Sequence, residues 1–229
     1  MNPPLTDVEV RVLGALLEKA RTTPDSYPLS LNALTNACNQ ASNREPVMAL
    51  AETEVSAAVD ALRRRSLVRA IVRSGAGVTK YQHLVDEALG LVNRQLAVLC
   101  VLMLRGPQTA GELRTRTQRL HDFDDVADVE SALASLASRE PEPLVVRLPR
   151  RPGQREERWA HTLAPLDERA LAADAHADAA SARGAPRAGG REVAADDERV
   201  RALESEVAQL RRELADLRAE LASFRKQFE

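Results

Sequence analysis

Apolar residues near the start of the chain recur with the spacing of an amphipathic helix. In TDVEVRVLGALLEKA, residues 6 to 20, Thr6 and Glu9 have the spacing of a capping box, which is typical of a helix N-terminus. The apolar residues that follow share one helical face: Val8, Val12, Leu13, Leu16 and Leu17. The pattern predicts a helix over residues 6 to 20.

Later segments of the chain repeat this helical unit. VLGALL at 12–17 matches VLCVLM at 98–103, and EVSAAVDAL at 54–62 matches DVESALASL at 128–136. The segments at 54–62 and 128–136 both begin with an acidic residue and share the apolar positions that a helix would bury. The chain therefore contains two copies of one helical module.

A β-hairpin pattern follows the last helix of each copy. LVRAIVRSGAGVTKYQHL, 67–84, places two β-branched runs around a glycine turn, and LVVRLPRRPGQREERWAHTL, 144–163, repeats the scheme. Three helices followed by a hairpin is the order of a winged helix. The sequence thus predicts a mainly α protein with small β-hairpins, arranged as two tandem winged-helix domains. The alternative is a generic pair of α+β domains.

The first copy carries about a dozen more residues than the second between its first and third helices. Val12 and Val55 are 43 positions apart, whereas their counterparts Val98 and Val129 are 31 positions apart. We assign the extra residues to the polar segment NACNQASNREPVM, 36–48, which separates two apolar, helix-patterned stretches.

The polar segment 36–48 is the best candidate for a specific contact surface. Long loops inside compact domains are usually functional or disordered, and Pro46, Val47 and Met48 are predicted to pack against the protein. The alternative is that the asparagine and serine side chains only satisfy the loop's own backbone.

The C-terminal residues carry a heptad pattern that predicts a coiled coil. Across a parallel dimer the flanking charges pair with opposite sign, as Glu206 with Arg211 and Glu213 with Arg218, whereas an antiparallel pair would bring like charges together. We expect a parallel homodimer; the alternatives are a lone helix with internal charge pairs and a seam that packs on another protein. The predicted dimer contacts are Val200, Leu203, Val207, Leu210, Leu214, Leu217, Leu221 and Phe224.

These patterns divide the chain into four regions. We predict a first winged-helix domain at 1–88, which contains the polar segment, and a second at 89–165. A linker rich in Ala, Gly and Arg occupies 166–195, and the coiled coil occupies 196–229.

The composition and charge of the chain exclude some classes of function but do not identify one. The 229 residues have a net charge of −2, so no global positive field attracts the chain to nucleic acid or to an anionic membrane. The longest apolar run, LAVLCVLML at 96–104, is far shorter than the roughly 20 residues of a membrane span, and the start of the chain lacks the pattern of a signal peptide. Cys38 and Cys100 stand in unrelated contexts, which favours free thiols in a reducing compartment. We expect a cytoplasmic protein.

Several segments resemble the YceH-like family of bacterial proteins, a family of uncharacterised function. They are TTPDSYPLSLNALTNACNQASNREPVMALAETEV, LRGPQTAGELRTR and VVRLPRRPGQREERW. Within them, NREPVM and LRGPQTAGELR are not general winged-helix patterns. The resemblance covers residues 5 to about 163 and implies two winged-helix domains followed by a C-terminal helical region. It implies no activity, cofactor or catalytic residue.

The predicted third helices are poorly suited to reading DNA. A winged helix usually places this helix in the major groove, where basic and amide side chains reach bases and phosphates. Here 52–62 and 124–136 carry several acidic residues and no basic one. Carboxylates facing phosphates would oppose the counterion release that drives binding.

Basic residues lie instead beside the hairpin turns and on the second helix of the later copy. The hairpins of winged-helix proteins, called wings, can contact the DNA backbone or minor groove. We therefore expect a DNA-associated regulator or scaffold that contacts DNA through its wings together with the polar segment. The alternative is a protein-interaction adaptor that docks through the acidic third helices and binds no nucleic acid. The candidate contacts are Asn39, Gln40, Asn43, Arg44, Arg73, Lys80, Arg114, Arg150, Arg151 and Arg155.

Signals for catalysis are weak. GAGVTK at 75–80 has the wrong spacing for a phosphate loop, and HDFDD at 121–125 fits a helix N-cap better than a metal site. Cys38 with His83 could form a nucleophilic pair, but nothing in the sequence brings the two together. We expect no enzymatic activity, cofactor or bound metal, and no small-molecule substrate is indicated.

Overall fold

The computed structural model describes most of the two repeated copies. Its described residues fall in three ranges: 4–72, 77–150 and 154–165. All of them belong to one compact unit, Met1–Ala180. The predicted linker and coiled coil lie outside the described residues, as do Arg73 and Arg151.

The first copy of the repeat, which we call the first module, contains three helices and a three-stranded sheet. A short 3-10 helix, Pro24–Ser26, precedes the first strand. In chain order the elements are α1 (Asp7–Thr22), β1 (Leu29–Ser30), α2 (Leu31–Cys38), α3 (Glu52–Arg64), β2 (Val68–Ile71) and β3 (Lys80–His83). The sheet is antiparallel, with strand order β1-β3-β2.

The second module follows a short connecting helix, α4 (Val85–Leu89). Its two strands pair antiparallel, and an isolated bridge between Gln108 and Trp159 stands where β1 pairs with β3 in the first module. Its elements are α5 (Asn93–Arg105), α6 (Ala110–Thr117), α7 (Val126–Ala137), β4 (Val145–Leu148) and β5 (Arg158–His161). The prediction of a mainly helical protein with small hairpins is confirmed.

Local sequence signals set the helix boundaries. Thr6 and Glu9 form the predicted capping box, with the Glu9 amide 3.2 Å from Thr6 Oγ1 and the Thr6 amide 2.7 Å from Glu9 Oε2. Asp125 caps α7, accepting a hydrogen bond from the Asp128 amide at 2.8 Å. Gly106 ends α5 with a φ of 72°, a conformation that residues with a Cβ rarely adopt.

The two modules pack against each other through their first helices. α1 contacts α2 and α3 of its own module and also α5 of the second. Gly14 allows the close approach of α1 and α5, since a Cβ built at this position would lie 2.9 Å from Leu104 Cδ2. Leu13, Leu16 and Leu99 are fully buried in the same apolar core, and each contributes about 1.5–3 kcal/mol relative to exposure.

The structure corrects the assignment of the extra residues in the first module. They are not confined to 36–48, because α1 is longer than α5 and both connections between its first three helices are longer too. The α1 to α2 connection covers 23–30, against 106–109 in the second module. The α2 to α3 connection covers 39–51, against 118–125. The polar segment is therefore one of three places where the first module is enlarged.

The prediction that Pro46 and Val47 pack against the protein is wrong. Val47 is 59% exposed and Pro46 is also exposed, whereas Met48 is half-buried. The loop is fixed instead by polar contacts, and its buried residue is Arg44. No helix in the described part of the chain has both the length and the apolarity needed to cross a membrane.

Candidate nucleic-acid interface

Arg44, a candidate contact residue, is one of the most buried polar side chains of the described protein. Arg44 is 4% exposed, and its guanidinium donates two hydrogen bonds to Glu18 on α1: Nη1 to Oε1 at 3.1 Å and Nη2 to Oε2 at 2.6 Å. It also donates to the Ala37 carbonyl from Nε and Nη2. Arg44 therefore fastens the polar segment to α1 and is not presented to a partner.

The other candidates in the polar segment also have internal partners. The Asn39 amide group pairs with the backbone of Leu50 in both directions at 2.8 Å, which closes the loop. Gln40 Oε1 accepts a bond from Arg44 Nη2 at 3.2 Å. These contacts agree with the alternative that the polar side chains satisfy the loop itself.

Asn43 joins the polar segment to the second module. Its Oδ1 accepts a bond from Arg105 Nη1 at 2.7 Å, and the neighbouring Glu45 amide donates to the Leu104 carbonyl at 2.8 Å. Asn43 has a φ of 59°, a left-handed conformation that asparagine tolerates better than most residues. The segment thus bridges α1 and the end of α5.

A second buried arginine, Arg11 on α1, was not among the candidates. It is 2% exposed and donates to the Cys38 carbonyl at 3.1 Å and to the Pro46 carbonyl at 2.6 Å. Burial, together with the nearby charge of Arg44, lowers the pKa of Arg11 below its usual value. The available signal was its helical position, since Arg11 falls on the apolar face that holds Val8 and Val12.

The first hairpin carries two basic side chains on one face. In the register of β2 and β3, Arg69 lies opposite Gln82 and Lys80 lies opposite Ile71, so Arg69 and Lys80 are diagonal neighbours on the same side of the ribbon. Arg69 is exposed and Lys80 is half-buried. Neither has an ion-pair partner among the described residues.

In the second hairpin, the arginines on the strands have partners, whereas the arginines near the turn form no ion pair with described residues. Arg147 on β4 lies 2.9 Å from Glu157 and stacks over the Trp159 ring at 5.0 Å from its centroid. Arg158 on β5 donates to the Pro107 carbonyl at 3.0 Å. Arg150 and Arg155, which lie closer to the turn, are exposed and form no ion pair within the described ranges.

Arg114, the candidate on α6, has a structural contact. Its Nη2 donates to the Asp124 carbonyl at 2.8 Å and so holds the loop that leads into α7. Its neighbour Arg116 donates to Gln108 Oε1 at 2.7 Å and lies 3.3 Å from Glu112. The arginines of this helix therefore support the fold of the second module.

The basic side chains without a partner are concentrated in the hairpins. Most arginines on helices form ion pairs or bind carbonyls and side-chain amides, as Arg63 with Asp60 at 3.0 Å and Arg94 with Asp128 at 3.5 Å. Across the described ranges, the surface basic residues that lack any hydrogen-bond or ion-pair partner are Arg64, Arg69, Lys80, Arg119, Arg150 and Arg155.

The third helices are acidic at their N-terminal ends. On α3, Glu52 and Glu54 lie exposed in the first turn, but the helix continues to Arg64, so the predicted absence of basic residues applies only to 52–62. On α7, Asp128 pairs with Arg94 and Glu130 is exposed. The N-terminal turns of both helices thus carry carboxylates.

The weak catalytic and metal-binding candidates of the sequence can be located in the structure. Burial raises the pKa of the Cys38 thiol to about 12, so it stays protonated at neutral pH and is a poor nucleophile. Cys38 and Cys100 are both free and buried. Within the described ranges no group of His, Cys, Asp or Glu is arranged to hold a metal ion, and Asp125 of the HDFDD segment is the N-cap of α7.

Comparison with known proteins assigns the chain to a family. A family profile described as "Protein of unknown function, DUF480" matches residues 5–154, which is more than half of the chain. The chain belongs to this DUF480 family. The expectation of membership in an uncharacterised bacterial family is therefore confirmed.

Curated relatives of the DUF480 protein carry the name UPF0502 protein. One from Geobacter sulfurreducens is 52% identical over 197 residues, covering 86% of this chain and 85% of the relative. Another from Geotalea uraniireducens is 49% identical over 200 residues, covering 87% of each chain. A third from Vibrio campbellii is 50% identical over 190 residues, covering 80% of this chain and 88% of the relative. In these three relatives the similarity covers 80–88% of each chain.

Proposed function

We propose that the DUF480 protein consists of two tandem winged-helix domains. Support comes from the position of β1 between the first two helices and from the sheet order β1-β3-β2, both of which are features of that fold. In the second module the bridge between Gln108 and Trp159 takes the place of β1. The repeat in the sequence supports the same interpretation.

We further propose a non-enzymatic, cytoplasmic protein that associates with DNA through its hairpins as a regulator or scaffold. The observation that carries this proposal is the concentration at the hairpins of cations that have no partner among the described residues: Arg69, Lys80, Arg150 and Arg155. A cation with no internal partner is free to replace counterions on phosphate, whereas one held in an ion pair is partly neutralised already. Phosphate contacts of this kind position a protein on DNA without reading its sequence.

Pairing of two chains through the C-terminal heptads would strengthen such binding. The predicted parallel coiled coil would join two copies of each hairpin in one particle. A second site on the same DNA would then be filled from a high effective concentration, so weak individual contacts would combine into measurable affinity. The proposal therefore includes a homodimer.

A second candidate function is a protein-interaction adaptor without direct contact to nucleic acid. The observation that favours it is the outward face of α7, where Val126 is 40% exposed beside small exposed residues, Ala127, Ser131 and Ala134. Glu130 is exposed on the same face and Asp125 at its N-terminal end, so a partner would meet an acidic surface that contains one exposed valine.

The salt dependence of binding separates the two functions. Fluorescence anisotropy of a labelled DNA duplex would be followed as the full chain is added at about 50 and 200 mM salt. About four phosphate contacts per protomer give eight per dimer, which predicts that affinity falls on the order of 10⁴-fold between these concentrations. Absence of any anisotropy change at the lower salt concentration would favour the adaptor and contradict DNA association.

A further inference from the structure

An apolar pocket lies where the two modules meet. Its volume is about 190 Å³, and it is bounded by α1, the end of the polar segment, α5, and β5 with the residues that follow it. Its wall is mainly apolar and includes Val10, Leu102, Met103 and Ala160. Neither α7 nor any of the hairpin cations proposed to contact DNA lines this pocket, so a partner bound here would be a separate property of the protein.

The polar segment presents its apolar end at this pocket. Pro46 and Met48 line the pocket, and Val47 between them is 59% exposed. The polar side chains of the segment are turned to bonds within the protein, as Arg44 is to Glu18. The apolar surface therefore continues from the pocket onto the loop, and such a continuous exposed apolar surface is typical of an interaction site.

Hydrogen bonds hold this part of the loop in place before any partner binds. The Pro46 carbonyl accepts a bond from Arg11 Nη2 at 2.6 Å, and the Glu45 amide donates to the Leu104 carbonyl at 2.8 Å. Arg11 is itself fixed by a second bond, from Nη1 to the Cys38 carbonyl at 3.1 Å. A surface that is ordered in advance loses less conformational entropy when it binds, which favours affinity.

The charges that the pocket presents to water are negative. Asp7 and Glu45 belong to its lining and are exposed, and neither forms an ion pair with a described residue. Arg11 also lines the pocket, but its guanidinium is buried against carbonyls and its charge is partly compensated by Glu45. Burial lowers the pKa of His161 to about 4, so its imidazole is neutral at pH 7. The mouth of the pocket therefore attracts a cationic group and repels an anionic one.

We propose that the pocket and the loop at 46–48 form a docking site for a segment of a partner protein that carries a large apolar side chain between basic residues. The apolar side chain, a phenylalanine or a leucine, fills the pocket against Leu102 and Met103. A cavity of about 150 Å³ can hold benzene, so a pocket of this size accommodates such a side chain. The basic neighbours lie at the mouth beside Asp7 and Glu45, and the rest of the segment covers Val47.

Titration of the 15N-labelled full chain with short peptides tests this assignment. The probe is acetyl-Ala-Lys-Phe-Lys-Ala-amide, and two control peptides replace its phenylalanine by alanine or both of its lysines by glutamate. We expect the probe to bind with a Kd below about 1 mM and each control to bind at least about tenfold more weakly. One control lacks the side chain that fills the pocket, and the other is repelled by the two carboxylates.

The amide signals report where the probe binds. Those of Val47, Met48 and Gly106 should shift, because these residues line the pocket or adjoin it. Shifts confined to other regions, or equal affinities for the three peptides, would overturn the proposal. No probe binding at millimolar concentration would overturn it as well, and this is the result expected if another part of the chain or a second copy already fills the pocket.

A surface variant locates the site without disturbing the core. Val47→Ser removes apolar surface beside the pocket and should weaken binding of the probe by at least about threefold. Val78→Ser makes the same change on the first hairpin, at a side chain of similar exposure, 57%, and should leave the affinity unchanged. Equal effects of the two substitutions would contradict the site.

The charge at the mouth of the pocket is tested by removing its carboxylates. Asp7→Asn together with Glu45→Gln should lower the affinity for the probe by at least about fivefold and raise the affinity for the peptide that contains glutamate. The control variant, Asp122→Asn with Glu130→Gln, removes two exposed carboxylates outside the pocket and should change neither affinity. If both variants behave alike, only the net charge of the protein matters, and the proposed position of the basic residues is wrong.

Discussion

The Sγ atom of Cys100 lies 3.5 Å from the carbonyl oxygen of Gly14, and the two residues occupy equivalent positions in the repeat. In the alignment of VLGALL with VLCVLM, Gly14 corresponds to Cys100. The first helices of the two modules therefore meet at matching points, as two helices related by an approximate twofold axis would. The first helices of the two modules, α1 and α5, therefore form the interface between the modules.

Substitution of Gly14 tests how tightly the interface between α1 and α5 is packed. Its Cβ would lie 2.9 Å from Leu104 Cδ2 and 3.3 Å from Met103 Cβ, so Gly14→Val should force α1 and α5 apart. We expect a loss of about 1–3 kcal/mol in the free energy of unfolding, measured by urea denaturation.

Gly111 on α6 provides the matched control for Gly14. A Cβ there would meet nothing closer than Thr109 Oγ1 at 4.0 Å, so Gly111→Ala should stabilise the protein by about 0.5–1 kcal/mol. A Gly14 variant as stable as the original chain would show that the modules do not depend on this contact.

The ion pair of Arg44 and Glu18 is predicted to be essential for the polar segment. Glu18→Gln keeps the size of the side chain but leaves the buried Arg44 charge without its carboxylate, for an expected loss of about 3–5 kcal/mol. Asp60→Asn breaks the exposed pair with Arg63 and should cost less than about 1 kcal/mol. Chemical denaturation of both variants measures the difference. Equal effects would indicate that the Arg44 pair is no more important than a surface pair.

The helices could be predicted from the sequence because their signals are local. The capping box of Thr6 and Glu9 and the apolar spacing of α1 are both visible along the chain. The hairpins were also correctly placed, since β-branched runs flank their turns. These features depend on neighbouring residues and little on the rest of the fold.

The candidate site was harder to predict because it depends on contacts between distant residues. Arg44 is an ordinary loop arginine in the sequence, and its partner Glu18 belongs to another element. Arg11 could have been suspected from its place on an apolar face, but its carbonyl partners at Cys38 and Pro46 could not. Lys80, Arg150 and Arg155 were among the predicted contacts and Arg69 was not, and the structure adds which hairpin cations lack a partner within the described ranges.

The buried thiols make stability fall at alkaline pH. Burial raises the folded-state pKa of Cys38 to about 12, above the value of about 8.5 in an unfolded chain, so only the unfolded state loses this proton between these two values. The contribution of this thiol to the free energy of unfolding is therefore fully present below about pH 8.5. Above that pH the free energy of unfolding should decrease by about 1.4 kcal/mol per pH unit because of this thiol. Urea denaturation between pH 8 and 10.5 measures the slope. Cys38→Ala should reduce it by that amount, and an unchanged slope would argue against a protonated, buried Cys38.

We propose that the predicted coiled coil sets the oligomeric state of the protein. Deletion of residues 192–229 should convert the dimer into a folded monomer, as measured by multi-angle light scattering. Leu214→Glu in the full chain places a charge in the predicted seam and should have the same effect. A dimer that survives both changes would require another interface.

The hairpin cations provide the most direct test of DNA association. Arg69, Lys80, Arg150 and Arg155 would be replaced together by alanine in the full chain, and duplex binding measured by anisotropy over a range of salt concentrations. Loss of four phosphate contacts per protomer, eight per dimer, should lower the slope of log Kd against log salt by about 7. The control variant replaces Lys19, Arg63, Arg94 and Arg116, which have the same total charge but lie in ion pairs. We expect a much smaller change for the control. An unaltered slope in the hairpin variant, or equal reductions in both variants, would contradict binding through the hairpins.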